Sequence, residues 1–217
     1  MIMVSQGWAS ARQLGAAVRA VVVFTALLGL LYPLAMTGAA QALFPNRADG
    51  SLVQADGRNI ASSLIGQAYL RQVVTHGRPQ VDADGQPILE PDPAWFQTRP
   101  SAVDYDGLGS SASQLGPNNP DLVATIAARR AAVAAFEGVP AAAVPADALT
   151  SSGSGLDPHI SVAYAAIQVP RVARTRGVAA DQVRKLVRAH TKGRTLGFLG
   201  EPRVNVVELN RALAGTE

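Results

Sequence analysis

The sequence predicts one N-terminal transmembrane α-helix followed by a single extracytoplasmic α+β domain, and three observations carry this. Ala20 to Asn46 is the longest run without a charged side chain. The chain beyond it interleaves short β-prone stretches with runs of helical period, the pattern of a mixed domain. The chain has 217 residues, so about 170 follow the apolar run, enough for one domain with its own core.

The apolar run comes first. A bilayer core about 30 Å thick needs about 20 apolar helical residues, and Val21 to Ala40 supplies them. Ala40-Gln41-Ala42 looks like a signal-cleavage site, but a signal peptide's apolar core is about 7 to 15 residues, shorter than this run. With no cysteine, a lipoprotein anchor is excluded. Arg12 and Arg19 precede the run without an acidic residue, whereas Arg47 is followed by Asp49 and Asp56. The positive-inside rule then puts residues 1–13 in the cytoplasm, 14–44 across the membrane and 45–217 outside. Pro33 marks a kink or the point where the helix leaves the densest lipid. Gly29 and Gly38 give the helix small residues through which a partner helix, or simply lipid, can approach.

Next, Asp56-Gly57 between Leu52-Val53 and the apolar residues from Ile60 to Ile65 is a hairpin signal. Residues 73–93 turn polar, with four prolines and two glycines between Thr75 and Pro93, and read as a surface insertion. Asn119, Pro120 and Asp121 form a helix start, with Asn119 as cap. That helix reaches Phe136, with Leu122, Ile126, Val133 and Phe136 inward and Arg129 and Arg130 toward solvent. Asp147 to Thr150 is expected as a strand. In the polar block from Ser151 to Ser161, Asp157 or Ser161 suits the cap of a helix from Val162 to Arg176, which Gly177 stops. Another helix follows from Ala180 to His190, with Val183, Leu186 and Val187 inward. A strand at Val204 to Val206 and a helix from Glu208 to Ala214 end the domain.

Charge is divided unevenly. Residues 47–168 carry seven basic and twelve acidic groups, and residues 169–217 carry ten and four. The basic C-terminal third suits an acidic partner, anionic lipid heads or plain solvent. The outward location argues against nucleic acid. His76, His159 and His190 lack ligand-like spacing, so no metal centre is expected. Ser154, Asp157 and His159 invite an envelope hydrolase or binding domain, but the Gly-x-Ser-x-Gly elbow is missing. The glycines Gly153 and Gly155 and the helix start could bind an anion, yet no Walker or Rossmann motif supports an independent nucleotide site.

Taken in order, Tyr32-Pro33-Leu34, Thr37-Gly38, Phe44-Pro45, Gly50-Ser51-Leu52 and Ser63-Leu64-Ile65-Gly66-Gln67 form the first half of a recognisable series. Arg99-Pro100-Ser101-Ala102, Leu115-Gly116-Pro117, Asn119-Pro120, the block from Ser152 to Ser161, Gln168, Arg171-Val172-Ala173, Gly200-Glu201-Pro202-Arg203-Val204-Asn205 and Leu209-Asn210 complete it. This series resembles the C subunit of the Kdp-type potassium-transporting ATPase along nearly the whole chain. The insertion at 73–93 and Val162, where a proline is usual, depart from the family pattern. The resemblance implies a non-catalytic accessory subunit of a bacterial potassium uptake complex. Its implied partners are a channel-like potassium-translocating subunit, a P-type ATPase subunit and a small single-span subunit, together with the lipid bilayer. It also implies two jobs, stabilising the assembly and raising the ATP affinity of the ATPase subunit, and its outward location adds a third, capping the outer potassium entrance. ATP and potassium would act at the level of the complex, with no cofactor bound by this chain alone. Gly29, Tyr32, Pro33, Thr37 and Gly38 become candidate contacts to a partner helix. Ser152, Gly153, Ser154, Gly155, Asp157, His159 and Gln168 become a candidate partner or ligand loop.

Overall fold

A computed structural model describes residues 3–55 and 57–215. Met1, Ile2, Asp56, Thr216 and Glu217, which the expected segments and the expected Asp56-Gly57 turn include, lie outside the described residues. The chain divides into two units between Leu52 and Val53.

The first unit is helical. Helix α1 (Met3–Phe24) passes into a π-helical segment (Thr25–Leu31) and then α2 (Tyr32–Leu43), with a short α3 (Pro45–Ala48) beyond. Residues Ala11–Leu43 form one helix long and apolar enough to cross a membrane. The π segment lies where a regular α-helix would press the Pro33 ring against the Gly29 carbonyl. Tyr32 N–H reaches back to Leu27 O, one residue further than an α-helical bond. The expected kink or exit point at Pro33 is thus a widened turn inside a continuing helix. Phe44, at φ −141° and ψ 56°, ends α2.

The second unit mixes helices and small sheets. Strands β1 (Leu52–Ala55) and β2 (Arg58–Ser62) form the expected hairpin. The polar segment near 73–93 is exposed as expected and is also ordered as a nested ribbon. Strand β3 (Leu70–Gln72) pairs antiparallel with β6 (Leu89–Pro91), and β4 (Val74–Thr75) with β5 (Arg78–Pro79). Pro79 and Pro91 sit at strand ends, where a missing N–H costs little.

The core surrounds α5 (Val162–Arg176). Ala165, Val169 and Val172 on α5 pack with Val183 and Val187 of α6 (Ala180–Ala189), Leu209 and Leu213 of α7 (Val206–Ala214), and Phe96, Leu149, Ile160 and Val204. Against it lies α4 (Pro120–Glu137), capped by Asn119, whose side chain accepts from Asp121 and Leu122 N–H, and closed by left-handed Gly138. A three-stranded antiparallel sheet completes the unit, with β9 (Arg203–Asn205) between β7 (His159–Ser161) and β8 (Thr191–Lys192).

Three expectations are corrected. Ala146–Ala148 is a 3₁₀ turn rather than part of a strand, because Asp147 must turn back to take the Ser161 N–H and hydroxyl, at 2.7 and 2.9 Å. Arg129 is half-buried, not solvated, and donates to Leu149 O at 3.1 Å. Strands β7 and β8 were not foreseen, since runs this short have no readable period.

Candidate functional site

The polar block from Ser151 to Ser161 wraps over a frame built from residues 66–69 and 97–111. Gly66 N–H donates to Leu156 O at 2.7 Å, Ser101 Oγ to Gly155 O at 2.7 Å, and Ser111 N–H to Ser154 O at 3.0 Å. Two glycines make this approach possible. A Cβ on Gly155, at φ 69°, would come within 2.7 Å of Val103 Cγ2 and 2.8 Å of Ser111 O, and one on Gly66 within 2.8 Å of Asp157 O. Side chains there would force the two layers apart.

Charge pins the same contact. Arg99 donates to Thr150 O and Ser151 O, both at 3.3 Å, and approaches Asp157 Oδ2 at 3.5 Å. Asp157 Oδ1 accepts from His159 N–H at 2.9 Å and meets His159 Nδ1 at 3.0 Å. Burial alone would raise the Asp157 carboxyl, but the two bonds from His159 and the nearby Arg99 outweigh it and hold it below the usual value.

The predicted site residues divide as follows. Asp157 and His159 are brought together, but Ser154 does not join them: its hydroxyl accepts from Leu156 N–H at 3.1 Å. The hydrolase constellation is therefore not assembled. Ser152 and Gly155 are buried, and the loop's outer face is left to Gly153, Ser154, Asp157 and His159. Ser161, not Asp157, caps α5, accepting from Tyr164 N–H at 2.9 Å. Gln168 is fully buried. It belongs to the core beneath the loop, not to the loop's exposed side. Gly29 falls in the π-helical segment, and Tyr32, Pro33, Thr37 and Gly38 fall in α2. All five are exposed.

What the sequence reading missed is the support beneath. Residues 93–97 run through the core outside any strand, so their carbonyls need donors from elsewhere. Arg171 supplies Pro93 O and Trp95 O at 2.6 and 3.0 Å, and Arg176 supplies Ala94 O at 2.8 Å. Asn210 gives its amide to Phe96 O at 2.9 Å and takes Phe96 N–H at 3.0 Å. Gln168 repeats that two-way pairing with Gln97, at 3.1 and 2.6 Å. Five consecutive carbonyls are thus met by side chains of α5 and α7.

Arg171 also grips both oxygens of buried Glu137, at 2.9 and 3.2 Å, gives its last N–H to Gln168 Oε1 at 2.9 Å, and stacks 4.5 Å over Phe136. Burial pushes the Glu137 carboxyl above its ordinary value, with Arg171 opposing. A signal was available in the sequence, since Gln168 and Arg171, three residues apart, fall on one helical face. Beside this frame, Tyr105, Arg129, Phe136 and Tyr164 line a groove of about 570 Å³. Among the described residues no cluster of histidines and carboxylates could hold a metal ion.

The family model described as KdpC, K+-transporting ATPase c chain, matches residues 14–215. The chain belongs to the KdpC family. Among the family's potassium-transporting ATPase KdpC subunits, that of Streptomyces avermitilis is 46% identical over 217 residues, covering 94% of both chains. That of Caulobacter vibrioides is 48% identical over 191 residues, covering 88% of this chain and 86% of its own. That of Rhodopseudomonas palustris is 49% identical over 195 residues, covering 90% and 92%. The family match spans the apolar helix, the polar block and the α5 and α7 side chains that hold residues 93–97.

Proposed function

We propose that this protein is a non-catalytic accessory subunit of an ATP-driven potassium uptake complex. The helix Ala11–Leu43 crosses the membrane once, with the N-terminus in the cytoplasm and the domain outside. There it joins a channel-like potassium-translocating subunit, a P-type ATPase subunit and a small single-span subunit, stabilises their assembly and caps the outer potassium entrance. Its effect on the ATP affinity of the ATPase subunit passes through coupled conformations of the partners, because an outward domain cannot touch cytoplasmic ATP. ATP and potassium act at the level of the complex, and this chain binds no cofactor of its own.

One observation carries the reading. The polar block that would have to supply chemistry is committed to internal bonds, with Ser154 held by Leu156 and Asp157 by His159 and Arg99. What remains is a rigid outer surface on a tethered domain, suited to holding a partner.

The test is co-purification from membranes. The tagged full chain is expected to carry the two large subunits with it, and a clean monomer would refute the proposal. Removing residues 47–217 while keeping the helix should alter assembly or potassium affinity and leave phosphorylation of the ATPase subunit intact. Unchanged transport would eliminate the cap. A reporter fused to the C-terminus and active in the cytoplasm would reverse the topology.

A further inference from the structure

The hairpin between β8 and β9 ends in an apolar tip that none of the described residues of the domain covers. Leu196, Phe198 and Leu199 are 80%, 67% and 50% exposed. The turn is nevertheless firmly built. Thr195 and Leu199 exchange backbone hydrogen bonds at 2.9 Å each, and Arg194 holds both Glu201 oxygens at 2.8 and 2.7 Å. Gly197 and Gly200 take positive φ, and so does Leu196 at 55°, a conformation that strains a non-glycine residue. Three large apolar side chains held in water forgo the stabilisation that burial would give them.

The base of the hairpin is cationic. Lys192 stands directly opposite Arg203 in the β8–β9 register, a like-charge pairing that weakens a sheet. Lys192 reaches Glu208 at 3.3 Å, while Arg203 has no carboxylate partner among the described residues.

We propose that this tip docks into an apolar pocket with a carboxylate rim on another protein subunit of the transport assembly. The inference rests on the accessory-subunit reading above. Shape favours a protein over lipid. A bilayer accepts apolar side chains in any arrangement and rewards no particular turn, whereas a preformed pocket gains affinity from a turn already ordered. The charges at the base fit the same partner, since carboxylates facing Lys192 and Arg203 would relieve their mutual repulsion. Three side chains are too few for a stable interface by themselves. A chain anchored by its own membrane helix, however, meets neighbouring membrane subunits at high effective concentration, so a small anchor suffices.

This chain has no cysteine, so labelling is read on this chain alone after it is resolved from its partners. Phe198→Cys introduces a single thiol, whose reaction rate with a water-soluble maleimide is compared in the full chain alone, in lipid nanodiscs, and in the intact complex. We expect the rate to fall about tenfold or more in the complex, while Leu108→Cys, at a fully exposed position in another loop, stays reactive. The double variant Leu196→Ser, Phe198→Ser changes only exposed positions and should recover less of the partner subunits on co-purification. Equal reactivity of position 198 in the full chain alone and in the intact complex overturns the proposal, and so does equal protection at positions 198 and 108. Protection of position 198 in nanodiscs holding the chain alone overturns it in favour of lipid. If the wild-type chain brings down no partner, the accessory-subunit reading fails, and the docking proposal with it.

Discussion

Arg171→Met removes the guanidinium on which the interior of the domain converges. Arg171 is 2% exposed and uses all five N–H groups, on Glu137, Gln168, Pro93 O and Trp95 O. Methionine replaces much of the volume but strands a buried carboxylate and two carbonyls. Breaking a buried pair from one side costs about 3–5 kcal/mol. At roughly 2–4 °C per kcal/mol for a domain of this size, the midpoint should fall by roughly 6–20 °C. Circular dichroism melting of the full chain in detergent reads this directly. The deficit should also depend on pH with a definite sign. Burial already holds the Glu137 carboxyl above its ordinary 4.5, and losing the guanidinium raises it further. A raised folded value means stability is lost as pH rises from 4.5 through that value, so the deficit should be smaller at about pH 5 than at about pH 8. Adding Glu137→Leu removes the stranded charge and should restore at least about half the loss. A single-variant loss below about 1 kcal/mol, or a double variant less stable than the single, would refute the claim that this pair organises the core.

Other expectations can be checked on the same chain. Gly155→Ala should cost about 2 kcal/mol or more in chemical unfolding, because its φ is 69° and its Cβ meets Val103 and Ser111, whereas Gly153→Ala, with open space around it, should be nearly neutral. The depressed Asp157 carboxyl contributes stability that is present above about pH 4 and lost as pH falls through its folded value. Asp157→Asn should therefore flatten the acid limb of a stability–pH curve measured between about pH 5 and pH 2. Gly29→Leu and Gly38→Leu should leave the helix content intact, since a Cβ at Gly29 meets only Thr25 of its own helix and one at Gly38 meets nothing within 4 Å. Both are expected to reduce recovery of the complex in pull-down, and full recovery would assign those glycines to lipid contact.

The elements readable in the sequence were those whose causes are local. Asn119-Pro120-Asp121 and Gly138 bound α4, and Ser161 and Gly177 bound α5, because capping and left-handed termination involve residues within one turn. Asp147 misled because its conformation is set by Ser161, fourteen residues on. Of the proposed hydrolase residues, the Asp157 to His159 contact spans two positions and forms, whereas the Ser154 hydroxyl is taken by Leu156, also two positions away. Local competition decided that site before any distant residue could.

The sequence by itself determined the charge-free run that makes a helix long enough for a membrane, the capped helices of the domain, and the ordered series of motifs that marks the family. Only the tertiary structure decided that Gln168, Arg171, Arg176 and Asn210 carry residues 93–97, and that the tip at Leu196 to Leu199 is left uncovered. Those contacts join residues 71 to 114 positions apart, and pairings at that separation follow from how the whole chain packs, which neither periodicity nor capping records.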